Sequence, residues 1–591
     1  MKRILLLVAL LLVALIVTVA CNSNGEEDAP AAEATPTPAP APDEQTQDPA
    51  DEVEPDAPSD FDGPFYLAPL ANPITLRLGV GIGDPGPTVR AGLTPDMGAH
   101  NQFIYERIGA ELYYMWALPA DQAGERFNLS LATGDIPDIM TLSQVQFFEL
   151  AEHGQLRCLR DAFERYARPE IKEMFADLDN VPLDIATVNG ELLAIPHVLD
   201  PAQGLGQLWY RGDWADALDF TTPTTMDELE TMMQAFVDNE MGGPGTRGLG
   251  LYANPVSWAP DTRAILHGYG SYVGGAAGNW IHGDGQLVNA LIQPETQNAL
   301  NRLRSWYASG IIHPEFATFN IDQVQAELAA GRVGVISGEW WLGHWGGVIS
   351  SMEYDPNVEW RVTNIVPADG AAGRTIRAAA NISNFRVLSA DAPEGAEEAL
   401  IKMLNWFWEI FFVAEPFAYI EDDFIQTGEP GAFVWNWWPI LIWNAYEQQT
   451  NFDMVNAAIQ AGSTDGLTSI LQVDLFNSYQ MLFNDATFDD WWSTERAWGE
   501  WFTRVSPDGG WGTNVEIVRR GAFIESAFTG PPTETHLSRG SVLHDMWLEF
   551  YAGYVMGNLP ESEWDVFVAS WLATGGADWT AEINEQFNRM Q

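Results

Sequence analysis

An α/β fold with more than one hydrophobic core is predicted by three observations on this 591-residue sequence. β-rich runs alternate with helical patterns from residue 74 onward, which implies a mostly parallel sheet. The length is several times that of a typical single domain, so at least two cores are expected. A composition of 46% hydrophobic and 12% aromatic residues, with 25 Trp, excludes a wholly disordered or collagen-like chain. Charge is lopsided: 82 Asp+Glu stand against 28 Lys+Arg, a formal net charge of −54. Such a surface repels phosphate backbones and sets nucleic-acid binding aside. Cys21 and Cys158 are too few for a disulfide framework.

The N-terminal region reads as an export signal. Lys2 and Arg3 precede an apolar run of 14 residues, Ile4 to Val17, which is shorter than the roughly 20 needed to span a bilayer. Ala20-Cys21 then resembles a bacterial lipoprotein cleavage site, at which Cys21 becomes the acylated mature N-terminus. Thr18 departs from that motif, and ordinary signal peptidase cleavage nearby is the alternative. Two acyl chains anchor stably where one does not. Asn22 to Gly63 holds 13 acidic residues, no Lys or Arg, and Thr-Pro and Ala-Pro repeats, so it reads as an extended tether.

Elements then follow in order. Ile74 to Val80 alternates as a strand. It runs into Gly81-Ile82-Gly83-Asp84-Pro85-Gly86, a G-x-G-x-x-G in letters only, because Pro85 and Pro87 forbid the helix start that should cradle a pyrophosphate. Leu112 to Trp116 is a strand, Asp121 to Ala132 a helix, Asp138 to Leu142 a buried strand and Gln144 to Glu152 a helix. Thr225 followed by Glu228 forms a capping box. A helix from near Asp322 ends at Gly331, and Val333 to Ser337 is β-rich. Cys158 lies in an amphipathic stretch and is expected to pack as a small apolar side chain.

Several segments resemble one family in chain order. They include Leu131-Ala132-Thr133-Gly134-Asp135-Ile136-Pro137-Asp138-Ile139-Met140, Asn189 to Pro196, Leu208 to Trp214, Pro223 to Leu229, Gly310 to Phe316 and Gly331 to Trp341. These resemble the family 1 extracellular solute-binding proteins, the sugar-capturing components of ABC importers. Gly530-Pro531-Pro532-Thr533 and Trp564 to Val568 resemble its large lipoprotein subgroup linked to complex-polysaccharide oligosaccharides. The resemblance covers residues 72 to 590. It implies a periplasmic-binding-protein type II-like fold: two α/β lobes, a hinge crossed more than once, and a helical C-terminal extension. On that basis the lobes are 64–196 plus 374–425, and 197–373 plus 426–591. Crossings are expected near Ala194 to Leu199, near Ile365 to Gly373, and between Val413 and Glu429.

Pyranose faces stack on flat aromatic rings while hydroxyls need planar polar partners, so sugar clefts combine Trp with Asn, Gln and Arg. The resemblance implies Trp340, after the strand ending at Ser337-Gly338, as a stacking aromatic, with Trp341 beside it. It brings Trp258 and Asn254 into the cleft on another loop. Ser143 and Gln144 are candidates because they follow a strand's C-terminal end. Trp209 and Arg211 share a strand face. Arg211 either forks two hydroxyls or a uronate carboxylate, or pairs with Asp213 and braces a helix start. Trp437 and Trp438, just before Pro439, are candidate platforms because core packing explains them less readily in a loop. For every Trp in this set, packing is the competing reading.

No catalytic residue is marked. No H-E-x-x-H occurs among the nine His, and Asp489-Asp490 diverge as neighbours. Relatives carry a calcium loop after the helix matching Met226 to Asp238. Here Asp238 to Arg247 replaces the oxygen ligands with Met, Gly and Pro, so no cofactor or metal is expected. The implied role is a monomeric, lipid-anchored receptor on the outer face of the membrane that passes an oligosaccharide to ABC permease subunits. A surface carbohydrate sensor or adhesion module is the alternative, and a secreted glycoside hydrolase a further one.

Overall fold

The structure, a computed structural model, describes residues 61, 63–82, 94–256, 260–274, 279–344, 346–355, 357–378, 381–413, 437–484, 491–528 and 530–590. All lie within one compact unit, Pro55–Gln591.

The first lobe is built on a five-stranded sheet in the order Ala110–Pro119, Ile74–Ile82, Ile139–Leu142, Asn381–Leu388, Ile195–Leu199. The first three strands run parallel, and Asn381–Leu388 is antiparallel to both of its neighbours. The helix Ala120–Thr133 makes the crossover between parallel strands. Ser143 caps the helix Gln144–Glu152 through a full capping box with Gln146. The core of this lobe surrounds the helix Ala396–Phe412, which is buried on all sides, Trp406 and Trp408 included. Asn405 in its middle is satisfied by the carbonyls of Tyr66 and Tyr166 and by the amide of Arg168.

The second lobe holds a four-stranded sheet ordered Trp360–Thr363, Gln207–Arg211, Val333–Gly338, Arg247–Leu249. Gln207–Arg211 runs against its two neighbours. Period-two alternation sends Leu208 and Tyr210 into the larger core and Trp209 to the opposite face with Ile336, Trp360 and Phe502. Thr225 caps the helix Met226–Asp238 by accepting the Glu228 amide. The Glu228 carboxylate takes the Thr224 amide and hydroxyl rather than closing the box on Thr225. Seven helices from Glu447 onward form the C-terminal extension among the described residues, and those from Glu534–Val555 onward seal the larger core. Among the described residues no helix is long and apolar enough to cross a membrane.

Several expectations are corrected here. Residues 195–199 remain in the first sheet, so the first crossing is at Asp200 to Gly206. Ile365 and Val366 belong to the second core, and Thr375–Arg377 pairs with Phe523–Glu525, so the chain crosses back between 377 and 381. Trp438, Ile440, Leu441, Ile442 and Ala445 pack in the first core, so the chain passes to the second lobe after Ala445, while the crossing expected between Val413 and Glu429 falls outside the described residues. That apolar run buries itself against the helix Ala396–Phe412, so 426–591 is not wholly a second-lobe stretch. Cys158 is exposed rather than packed.

The crossings are pinned by one buried polar network. Asp200, on the first crossing, accepts from the amides of Ala202 at 2.7 Å and Gln448 at 2.9 Å. Asn381, on the second, donates to the Asp200 carbonyl at 3.1 Å. Gln448, just past the third, accepts from Asn514, which is joined in turn to Gln207. Burial pushes the Asp200 carboxyl up to about 6, against those amide donors and Arg377. A carboxyl raised above its unfolded value contributes stability below about pH 4 that is lost as pH rises through about 6. Asp200→Asn is therefore expected to gain stability relative to wild type, by on the order of 2 kcal/mol, between pH 4 and 7. Urea unfolding across that range reads this out, and parallel curves for the two proteins would contradict it.

Candidate ligand cleft

Both sheets turn their strand ends toward the crossings. In the first lobe Ile82, Pro119, Leu142 and Leu199 are the C-terminal ends of parallel strands, and the chain crosses just after Leu199. In the second lobe Gln207 enters from the crossing and pairs with Gly338. The antiparallel register then sets the C-terminal ends of Val333–Gly338, Arg247–Leu249 and Trp360–Thr363 at that same edge. Ligands of open α/β sheets bind outside such carboxyl ends.

A cavity of roughly 340 Å³ opens at this edge of the first sheet, within the range of small-molecule sites. Its walls include the glycine-rich end of the first strand, Trp116, Phe127, Thr141, Gln146 and Arg386. A bulge shifts the register between Leu78 and Gly79, so Gly79 faces Trp116 rather than Met115. The ring lies directly over the Gly79 backbone, where a Cβ would overlap it. The Arg126 guanidinium sits 4.7 Å from the ring centroid on helix Ala120–Thr133. Gly79→Ala is expected to displace this indole and weaken binding of a ligand seated in this cavity by about tenfold or more, with little change in the far-UV spectrum. Calorimetric titration checks it, and unchanged affinity would remove Trp116 from the site.

Arg386 is buried at 9% exposure on the strand that returns from the second lobe. One of its nitrogens reaches the Thr141 hydroxyl and, at 3.3 Å, the Pro439 carbonyl. Burial alone pulls its pKa down to about 10. Burial first, then the Arg386 charge, hold neighbouring His197 down to about 3, so that imidazole is neutral.

The expected site residues fall into separate environments. Ser143 and Gln144 stand at the cleft edge: the Ser143 hydroxyl is engaged as an N-cap, and Gln144 reaches across to the Gly530 carbonyl at 3.4 Å. Trp341 is half-buried at the end of the second sheet, its Nε1 donating to Glu339 at 2.9 Å. Asn254 is half-buried and accepts the Val256 amide. Trp258 and Cys21 lie outside the described residues.

The structure places the other members of the set among packed or paired neighbours. Trp340 packs against Trp511 at 5.3 Å, under the Arg504 guanidinium, in a satellite core with Phe452 and Val455. Trp209 is fully buried against Phe502. Trp438 is buried and donates to the Met403 carbonyl at 2.9 Å. Trp437 is buried near His100. Arg211 lies at the end of its strand away from the crossing, because that strand runs antiparallel. It pairs with Asp213 and stacks 4.3 Å over Trp214, so it braces the helix start. The Asp238 to Arg247 loop closes on itself, with the Thr246 hydroxyl bridging Gly242 and Gly243.

Trp116, Thr141, Gln146 and Arg386 were not anticipated. A signal was present for two of them: alternate glycines opposite an aromatic strand, and a lone Arg between Phe385 and Val387 in the strand Asn381–Leu388.

The fold is that of the type II periplasmic solute-binding proteins. The structure of the Streptococcus pneumoniae ABC-transporter substrate-binding protein FusA in complex with kestose superposes with a TM-score of 0.58 at 12% identity, covering 88% of this chain and 99% of that one. No family model matches the chain. Among curated proteins, the polygalacturonan/rhamnogalacturonan-binding protein YtcQ of Bacillus subtilis is 24% identical over 242 residues, 40% of this chain and 45% of that protein. Lipoprotein LipO of Bacillus subtilis is 22% identical over 239 residues, 39% of this chain and 44% of that protein. The matched stretch thus spans less than half the length of these curated relatives. The resemblance to sugar-binding ABC solute-binding proteins read from the sequence is borne out by these relatives.

Proposed function

We propose that this chain is the extracytoplasmic substrate-binding component of an ABC importer, capturing an oligosaccharide between its lobes without altering any bond. The observation that carries this reading is a pair of sheets whose strand ends lie toward the crossings, with those crossings sharing one polar network. Closure gains contacts from both lobes only when ligand is present, which shifts an open–closed equilibrium. The names of YtcQ, LipO and FusA support the saccharide, the lipid anchor and the transport context in turn. An apolar leader ending at Cys21 and an acidic tether fit a protein held by lipid at the outer face and reaching ABC permease subunits. The division consistent with this reading is 61–199 with 381–445 for one lobe, and 207–377 with 447–590 for the other.

The test is a thermal-shift and small-angle scattering panel of oligosaccharides on the mature protein. A true ligand at 100 times its Kd stabilises by about 2.7 kcal/mol and reduces the radius of gyration. Absence of any shift across the panel, or release of cleaved sugar, would overturn the proposal.

A further inference from the structure

We infer that the pocket at Arg386 is a subsite for the carboxylate of an acidic sugar, so that the captured oligosaccharide contains uronate residues. This deepens the function proposed above and rests on it.

Arginines buried in this protein otherwise come with a carboxylate. Arg168 holds Glu409, Arg211 holds Asp213, and Arg263 holds Asp261 and Glu339. Arg386 departs from that pattern: among the described residues it makes no ion pair. Its only hydrogen-bond partners there are a hydroxyl and a carbonyl, both neutral, through a single nitrogen. Nε is buried without a partner, and Nη2 makes no hydrogen bond to a described residue. A buried cation without a counter-charge is costly unless something completes it. The two vacant N–H groups of the guanidinium edge match the two oxygens of a carboxylate, which neutral hydroxyls match without supplying charge.

The surroundings suit a sugar that carries such a group. Trp116 offers an indole wall, and Thr141 and Gln146 offer hydroxyl and amide groups, in the same cavity as Arg386. Neighbouring His197 is neutral and hydrogen-bonds Asn384, so it does not compete for the anion. The body's net negative charge opposes approach of an anion at long range, whereas a desolvated pair inside the pocket is little screened. Raising salt therefore speeds association with an acidic sugar instead of weakening it.

The experiment titrates oligomers of galacturonate, glucuronate and mannuronate, each beside its carboxyl-reduced neutral counterpart, against the mature protein. At least one acidic oligomer is expected to bind about 100-fold more tightly than its reduced form. Arg386→Gln should abolish that preference, and Arg386→Lys should keep part of it. Equal binding of acidic and reduced sugars, or tighter binding of the reduced form, overturns the inference and leaves the oligosaccharide reading standing. Binding of neither class overturns both. Should Arg386→Gln fail to fold, the comparison of the two sugar series on wild-type protein still decides.

Discussion

Replacing Arg263 by Met is expected to destabilise the second lobe by about 3–5 kcal/mol, lowering its Tm on the order of 10 °C. The guanidinium sits at 5% side-chain exposure between Asp261, at 0%, and Glu339, at 13%. Nε meets Asp261, Nη2 meets Glu339 at 2.9 Å, and Nη1 donates to the Gly204 carbonyl on the first crossing at 2.9 Å. Removing the cation strands two carboxylates where solvent does not reach them, and burial already raises the Glu339 carboxyl despite Arg263. Asp261 also accepts the Ser337 hydroxyl and the Arg263 amide, so its loss of charge balance reaches the strand Val333–Gly338. The triple change Arg263→Met, Asp261→Asn, Glu339→Gln should recover most of the loss, because no uncompensated charge remains. Differential scanning calorimetry separates these outcomes. A loss under about 1 kcal/mol for the single variant would show that the carboxylates find other partners.

Trp209→Ala is expected to cost about 3–5 kcal/mol in stability while leaving the affinity for the proposed ligand unchanged below the melting temperature. The indole fills the space between Ile336, Leu342, Trp360 and Phe502, and Gly343 approaches its ring. Deleting it opens a cavity that the two flanking elements, a strand and a helix, cannot collapse. Trp209→Phe should cost far less, because Nε1 is buried without a hydrogen-bond partner among the described residues and its removal loses nothing. A stacking platform would behave in the opposite way, with stability retained and affinity lost. Paired unfolding and titration measurements on the two variants distinguish the cases.

Local chemistry was legible along the chain. The helix Gln144–Glu152, the N-cap at Thr225 and the strand at Val333 follow from caps, breakers and period, all of which act within a few residues. The two-lobed fold was legible too, through the order of several short segments. The cleft was harder to read. Trp340, Trp209 and Trp438 have aromatic neighbours hundreds of residues away or on a separate helix, so nothing beside them in sequence marks them as core. Arg211 and Arg386 show the point most clearly. Each is the one cation of its strand, yet one is neutralised by Asp213 two residues on and the other meets no acid among the described residues.

By itself, then, the sequence determined an acidic, two-cored α/β chain with its helix caps and strand runs in place, because these depend on composition and near neighbours. Tertiary structure decided which tryptophans pack in the cores, where the chain passes between lobes, and which buried arginine meets no counter-charge among the described residues. The physical reason is strand direction and burial. Gln207–Arg211 runs away from the crossing while Asn381–Leu388 returns through it, and that places one guanidinium at the far rim and the other beside the cavity.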